Sequence, residues 1–389
     1  MPKPLHIALI GQKFMGRAHS NAWSQVNRFF DLPMTTRLDT VAGRNAGELA
    51  IFAEKWGWKK GTTDWRSLAE DPELDLIDIG TSNDVHAEMS IAMLEGGKHV
   101  ACEKPLAGTL PDARAMRDAA LKRPKLKTFV WFNYRRCPAL ALAYQLIREG
   151  RLGRIYHVRA TYLQDWGGPQ TPLLWRFQKK SAGSGAHGDL NAHLVDMARF
   201  LVGEEITEVH GAISRTFITE RILPESVGAK GPPKKGKSDV DDAVLFLASF
   251  AGGATASFEG TRLATGRQNA NSIEINGETG SLRFDFESMN ELWYFDATLG
   301  KRLEGWRRIM CTSTEGAHPY AANWWPDAHV LGYEHGFVNM AADIVRVMCG
   351  MEPIVPLPDF EDAYQTQRVL TAALVSAQER AAVKLENVK

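Results

Sequence analysis

Apolar residues recur along the first third of the chain in two alternating rhythms. Short runs rich in β-branched and large aliphatic residues, "LHIALIG", "LDTVAG", "LDLIDIG", "KHVACEKP" and "KTFVWFNY", have the length and continuity of buried strands. Between them, "FMGRAHSNAWSQV", "NAGELAIFAEKWG", "HAEMSIAMLEGG" and the segment from Asp112 to about Arg123 space their apolar positions at helical intervals. This alternation predicts a doubly wound parallel sheet. Its crossovers should be right-handed, because a twisted strand and its helix pack back onto the sheet only in that sense.

Another helical pattern follows a glycine-rich run in "SGAHGDLNAHLVDMARF". Leu190, Leu194, Val195, Met197 and Ala198 predict the apolar face of a helix beginning after Gly188, and Asp189, His193 and Asp196 share another stripe at i, i+4 and i+7. Three chemistries fit that stripe. Asp189 suits a helix N-terminus, where a carboxylate meets free backbone N–H groups and the positive end of the helix dipole. With His187, the same residues resemble a divalent-metal set. As a proton relay, His193 would act as a base near its natural pKa. Further on, "PESVGAKGPPKKGKSDVDD" has the Gly, Pro and Lys content of a loop between strands.

The turn after the first predicted strand, "GQKFMG", is a degenerate dinucleotide fingerprint. Gly11 and Gly16 occupy its outer places, where the tight turn and close helix packing exclude a side chain. Lys13 replaces the middle glycine, and either lends charge to a pyrophosphate or pushes it outward. An ordinary strand-to-helix turn is the plain alternative. At the tip of the second strand, Gly43, Arg44 and Asn45 include no carboxylate for the ribose hydroxyl of NAD. The cofactor expectation is therefore NAD or NADP, leaning to NADP through Arg44, with adenine stacking by Arg44 and hydroxyl binding by Asn45 as alternatives.

Composition narrows the partners. The 389 residues suggest two domains, and 46 Lys and Arg balance 46 Asp and Glu. No global field then favours nucleic acid or an anionic membrane, and a small molecule is the default partner. Cys102, Cys137, Cys311 and Cys349 are far apart without a CxxC pair, which argues against a zinc cage or disulfide framework. A reducing compartment fits, so the cytoplasm is expected. The opening "MPKPLHIALIG" lacks a secretory h-region and cleavage site, and no apolar run reaches the length of a membrane span.

"CEKPLAGT" directly after "KHVA", together with "GSGAHGDLNAHLVD", resembles the signature pair of the Gfo/Idh/MocA family of oxidoreductases. The resemblance runs along nearly the whole chain, through "TSNDVHAEMSIAMLEGGKHVACEKP", "NYRR" and the strands of "VDDAVLFLASFAGGATASFEGT". Within the family, "FMGRAHSNAW", "NYRRCPALALAYQLIREGRLGRI", "TYLQDW" and "LLWRFQKKSAGSG" look like dehydrogenases of pyranose rings and glycosides. The resemblance implies an α/β plus α+β architecture. A Rossmann domain would span residues 1–134, and residues 135–389 would form an α+β domain on a large open, mostly antiparallel sheet that binds substrate and builds a homodimer or homotetramer.

Carried over by position, the resemblance makes Lys104, Asp189 and His193 the catalytic residues. Gly11, Lys13, Phe14, Met15 and Gly16 would meet the pyrophosphate, and Arg44 and Asn45 the ribose. Thr81, Asn83 and His86 match a TPNxxH loop in which Ser82 replaces the proline. Glu103 would lie beside the nicotinamide ribose, with Lys104, Trp175 and Arg176 also at the cofactor. Tyr134, Arg135, Asp165, Trp166 and His335 are expected at the substrate, although His335 also suits a capping role. No metal is expected, because Lys104 would place a cation in the same site.

Oxidising a secondary alcohol removes a hydride, taken by nicotinamide, and a proton, for which the protein provides. His193 is the expected base, Lys104 the stabiliser of the developing alkoxide, and Asp189 the group that orients the imidazole. The expected substrate is a sugar, glycoside or cyclitol, with C3 one candidate position. An NAD-dependent glycosidase, working by transient oxidation and elimination, would use the same residues.

Overall fold

The computed structural model describes residues 3–228 and 232–388. The lysine-rich segment read as a loop falls partly on residues 229–231, which lie outside the described residues. The chain divides into two compact units. One comprises Met1–Ala107, Pro111–Pro138 and Thr312–Tyr364, the other Gly108–Leu110, Ala139–Cys311 and Gln365–Lys389. The sequence reading places one boundary after residue 134; the first unit also takes in Thr312–Tyr364.

The first unit is built on six parallel strands: β1 (Leu5–Ile10), β2 (Thr36–Ala42), β3 (Lys60–Thr62), β4 (Leu76–Ile79), β5 (His99–Cys102) and β6 (Thr128–Val130). Their order is β3-β2-β1-β4-β5-β6, so the winding reverses between β1 and β4, where a doubly wound sheet opens its binding crevice. Every residue of β1 and β4 is buried, which explains why both runs are apolar but for His6 and Asp78. Asp78 in β4 is a carboxylate with no exposed surface. Helix α1 (Phe14–Phe29) turns His19, Ala22, Trp23 and Val26 inward, and the helix Tyr333–Met348 of the same unit lies against it. Helix α2 (Ala46–Trp56) starts at Asn45, whose side chain accepts from the Glu48 N–H, and stops at Gly57 with φ 75°.

The second unit carries β7 (Ile155–Leu163), β8 (Ile206–Arg215), β9 (Glu220–Ile222), β10 (Lys235–Lys237), β11 (Ala243–Phe250), β12 (Thr255–Thr261), β13 (Ala270–Gly277), β14 (Gly280–Asp285), β15 (Glu291–Asp296), β16 (Trp306–Met310) and β17 (Val383–Lys384). Nine of these form one sheet in the order β16-β15-β14-β13-β7-β12-β11-β8-β17, antiparallel throughout except for the β7–β12 pair. β9 and β10 form a separate antiparallel pair. The period of two is plain in β11. Val244, Phe246, Ala248 and Phe250 are buried, while Leu245 and Leu247 face outward on a surface that also exposes Ile213, the partner of Leu245 in β8. Together the units give the expected fold class: a Rossmann sheet plus a domain on a large, mostly antiparallel sheet. No helix among the described residues is long and apolar enough to cross a membrane.

One predicted element differs. The helix expected after Gly188 begins instead as a π-helical turn, His187–Asn191, and becomes α-helical over Ala192–Val202. Side chains set this wider turn. His187 Nε2 lies 2.8 Å from the Leu370 carbonyl oxygen, and the Asn191 amide lies 2.9 Å from His187 Nδ1 and 3.1 Å from the Val244 carbonyl oxygen. The N-terminal carboxylate is Asp241 rather than Asp189: it accepts from the N–H groups of Gly185 at 2.8 Å and His187 at 2.7 Å.

Candidate active site

In the first unit, the β1–α1 turn has room for backbone only. A Cβ on Gly11, at φ 119°, would stand 2.5 Å from the Gly80 carbonyl oxygen, and one on Gly16 would stand 2.3 Å from that of Gly11. The first turn of α1 contains no acidic residue, and no side chain caps it. Its N–H groups open beside the β1–β4 switch point, as a dinucleotide pyrophosphate requires, so the residues present fit that group. Lys13 is largely exposed and pairs with Glu48 at 2.7 Å, while Gln12 donates to the same carboxylate at 3.2 Å. Phe14 is exposed and stacks on Tyr333 at 6.4 Å, and Met15 is half-buried. Arg44 is exposed at the tip of β2.

The β4 and β5 ends are tied together by buried side chains. Asn83 is buried and opens a short 3-10 turn, and Ser82, standing for the family's proline, donates its hydroxyl to Asp84 at 2.6 Å. His86 has no exposed surface; its Nδ1 lies 3.1 Å from the Pro105 carbonyl oxygen and its Nε2 3.4 Å from that of Thr81. Burial holds its pKa below the usual histidine value. The ring thereby joins the Thr81 loop to the cis Lys104–Pro105 segment, where Lys104 is half-buried.

Beneath that segment Glu103 joins two residues that sequence reasoning passes over, His19 and Asp78. His19 Nδ1 is 3.0 Å from both oxygens of Asp78, and its Nε2 is 3.0 Å from Glu103 Oε1. The indole N–H groups of Trp23 and Trp131 donate to Asp78 at 2.7 and 2.9 Å, and the Lys104 N–H donates to Glu103 Oε2 at 3.0 Å. Burial alone would lower the pKa of His19, but the two carboxylates more than offset it and raise the value to about 9. The signal available in the sequence is Asp78 itself, a carboxylate inside an apolar run, which a buried strand keeps only with partners.

Three residues expected at the substrate also belong to this unit. Tyr134 and Arg135 sit in the buried turn Asn133–Arg136, with the Arg135 guanidinium 2.6 Å from Asp362. His335 accepts from the Gly332 N–H at 3.0 Å, closing the N-terminus of its helix, and packs edge-on against Trp324 at 4.3 Å.

In the second unit, Asp189 Oδ2 meets the Arg262 guanidinium at 2.6 Å. Arg262 is almost fully buried, donates to the Arg176 carbonyl oxygen at 3.3 Å, and lies 5.0 Å over the Trp166 ring and 5.7 Å over Phe177. Arg221 covers Phe177 at 3.6 Å and reaches Asp242 at 3.3 Å. Arg262 thus gathers Asp189, Trp166 and Arg176, which sequence reasoning selects, although nothing local in "EGTRLATG" marks it for that role. The Trp166 indole donates to Gln164 at 2.6 Å, Asp165 accepts from the Gly266 N–H at 3.2 Å, and Arg176 covers the Trp175 ring at 4.4 Å. His193 is buried, with its ring 6.0 Å from that of Tyr162. No group of three or more His, Cys, Asp or Glu among the described residues is arranged to hold a metal.

Known proteins place this geometry in a lineage. Residues 5–131 match the family described as "Oxidoreductase family, NAD-binding Rossmann fold", and residues 140–283 match the "GFO/IDH/MocA C-terminal domain". The chain is 42% identical over 384 residues to levoglucosan dehydrogenase of Pseudarthrobacter phenanthrenivorans, with 96% of each covered. An oxidoreductase domain protein from Kribbella flavida has a solved structure similar to this one, with a TM-score of 0.93 at 48% identity, covering 99% of this chain and 100% of that one. Levoglucosan dehydrogenase in complex with NADH and levoglucosan gives 0.91 at 40% identity, covering 98% and 99%. With both halves matched and relatives alike along nearly their full length, the chain belongs to the Gfo/Idh/MocA family of oxidoreductases, on an NAD-binding Rossmann fold.

Proposed function

We propose that the protein is an NAD(P)-dependent dehydrogenase acting on a ring hydroxyl of a sugar, glycoside or cyclitol, with an anhydropyranose such as levoglucosan its leading substrate and C3 one candidate position. The observation that carries this is 42% identity along 96% of both chains to a relative named levoglucosan dehydrogenase. Bound nicotinamide supplies the hydride acceptor. In this reading residues 1–134 hold the dinucleotide, and residues 135–389 bind substrate and assemble the oligomer. His193 takes the hydroxyl proton, the Lys104 ammonium steadies the alkoxide, and Asp189, held by Arg262, orients the base. Four free cysteines agree with a cytoplasmic enzyme. The exposed apolar positions Ile213, Leu245 and Leu247 favour a homodimer or homotetramer through that sheet face.

Arg44 opens the ribose site to a 2′-phosphate, whereas the nearby Glu48 carboxylate opposes one and could accept from a ribose hydroxyl. The test is a panel of anhydrosugars, pyranosides and cyclitols offered with NAD and with NADP, alongside sedimentation of the purified protein. Steady nicotinamide reduction supports the dehydrogenase; aglycone release without net reduction would replace it with the glycosidase. NADP should bind at least as well as NAD, and Arg44→Asp should reverse that order by about tenfold or more. Much tighter NAD binding by the unmodified protein removes the role of Arg44 and leaves the dehydrogenase standing.

A further inference from the structure

The buried Asp78–His19–Glu103 trio has a fixed donor count. Both imidazole nitrogens face carboxylate oxygens at 3.0 Å, and an ionised carboxylate only accepts, so the ring that serves both carboxylates is the doubly protonated one, in line with its raised pKa. The trio then holds one positive and two negative charges, and two indoles and the Lys104 N–H donate to it as well. His19 packs on Trp131 at 4.3 Å and against Phe337 at 5.7 Å, which exclude water from the ring. Two further titratable groups face the trio, and burial keeps both neutral: the pKa of His86 is lowered and that of Cys102 raised. The three members come from α1, β4 and the end of β5, the elements that lead to the pyrophosphate turn, the Thr81 loop and Lys104.

We infer that His19 is a positioning residue for the cofactor edge, a clamped imidazolium that keeps Glu103 ionised and pinned beside Lys104. The inference rests on the reading of Glu103 as a cofactor contact. His19→Gln can donate to one carboxylate but brings no charge, and a buried carboxyl without its cation favours the protonated form. NAD affinity should therefore acquire a pH dependence absent from the wild type. Relative to wild type at each pH, His19→Gln should bind NAD about tenfold more weakly near pH ~6 than near pH ~8, where the wild-type ring is still protonated. Adding Glu103→Gln should abolish that slope.

A flat relative profile for folded His19→Gln, while Glu103→Gln alone weakens NAD binding, overturns the inference. Wild-type NAD affinity in Glu103→Gln overturns the cofactor reading of Glu103 instead. If His19→Gln does not fold, nitrogen NMR of histidine-labelled wild-type protein decides. Both His19 nitrogens should stay protonated up to about pH 8; a single protonated nitrogen at neutral pH overturns the clamp.

Discussion

Lys104 and His193 are assigned by position in two short motifs, and their roles predict a particular kinetic signature. Lys104→Ala and His193→Ala should each lower turnover by about two to four orders of magnitude while the dinucleotide still binds, because neither is needed to hold the pyrophosphate. Single-turnover kinetics beside NAD titration separates the two effects, and near-normal turnover in His193→Ala removes it as the base. These residues are legible in the sequence because "EKP" and "DLNAH" are local. Their supports are not. Arg262 meets Asp189 across 73 positions, and His19 meets Asp78 and Glu103 across 59 and 84. Such pairings exist only once strands and helices have converged, and although Asp78 stands out inside its apolar run, nothing in the sequence names its partners.

At the scale of elements, steric contacts sort the glycines into those the turn needs and those it does not. Gly16→Ala would drive a methyl to 2.3 Å from a backbone oxygen and should destabilise the protein by about 2 kcal/mol or more, with weaker NAD binding. Gly47→Ala, in α2 with only the Asn45 side chain at 3.5 Å, should instead stabilise by about 0.5–1 kcal/mol. Denaturant midpoints for both variants check the opposite signs. Five of the six strands of the first sheet are readable because burial forces apolar runs, whereas β3, the largely exposed edge segment Lys60–Thr62, carries no such run. The π-helical turn is not, because Asp241, Leu370 and Val244 shape it from distant parts of the chain. Nor does any local pattern signal that residues 312–364 join the first unit.

For the whole molecule, buried histidines set opposite limits on stability. His19 has a folded pKa of about 9 against an ordinary 6.5, so its contribution is fully present below about pH 6.5 and is lost as pH rises through about 9. Burial lowers His86 and His187, so the unfolded chain takes up their protons first, and stability is lost as pH falls below about 6.5. Thermal midpoints should therefore peak near pH ~6.5. In His19→Gln the alkaline arm should flatten while the acid arm persists; an unchanged alkaline arm removes His19 as its cause. The discontinuity of the units bears on how the molecule comes to exist. The edge of the first sheet at Val130 donates its N–H to Pro358, and β8 of the second sheet waits for β17. A ribosome that has released residues 1–138 has therefore delivered an unfinished nucleotide-binding unit, and both units close only after synthesis has passed residue 360. Productive folding should accordingly be late and governed by long-range contacts, with a long interval in which unpaired strand edges depend on chaperones.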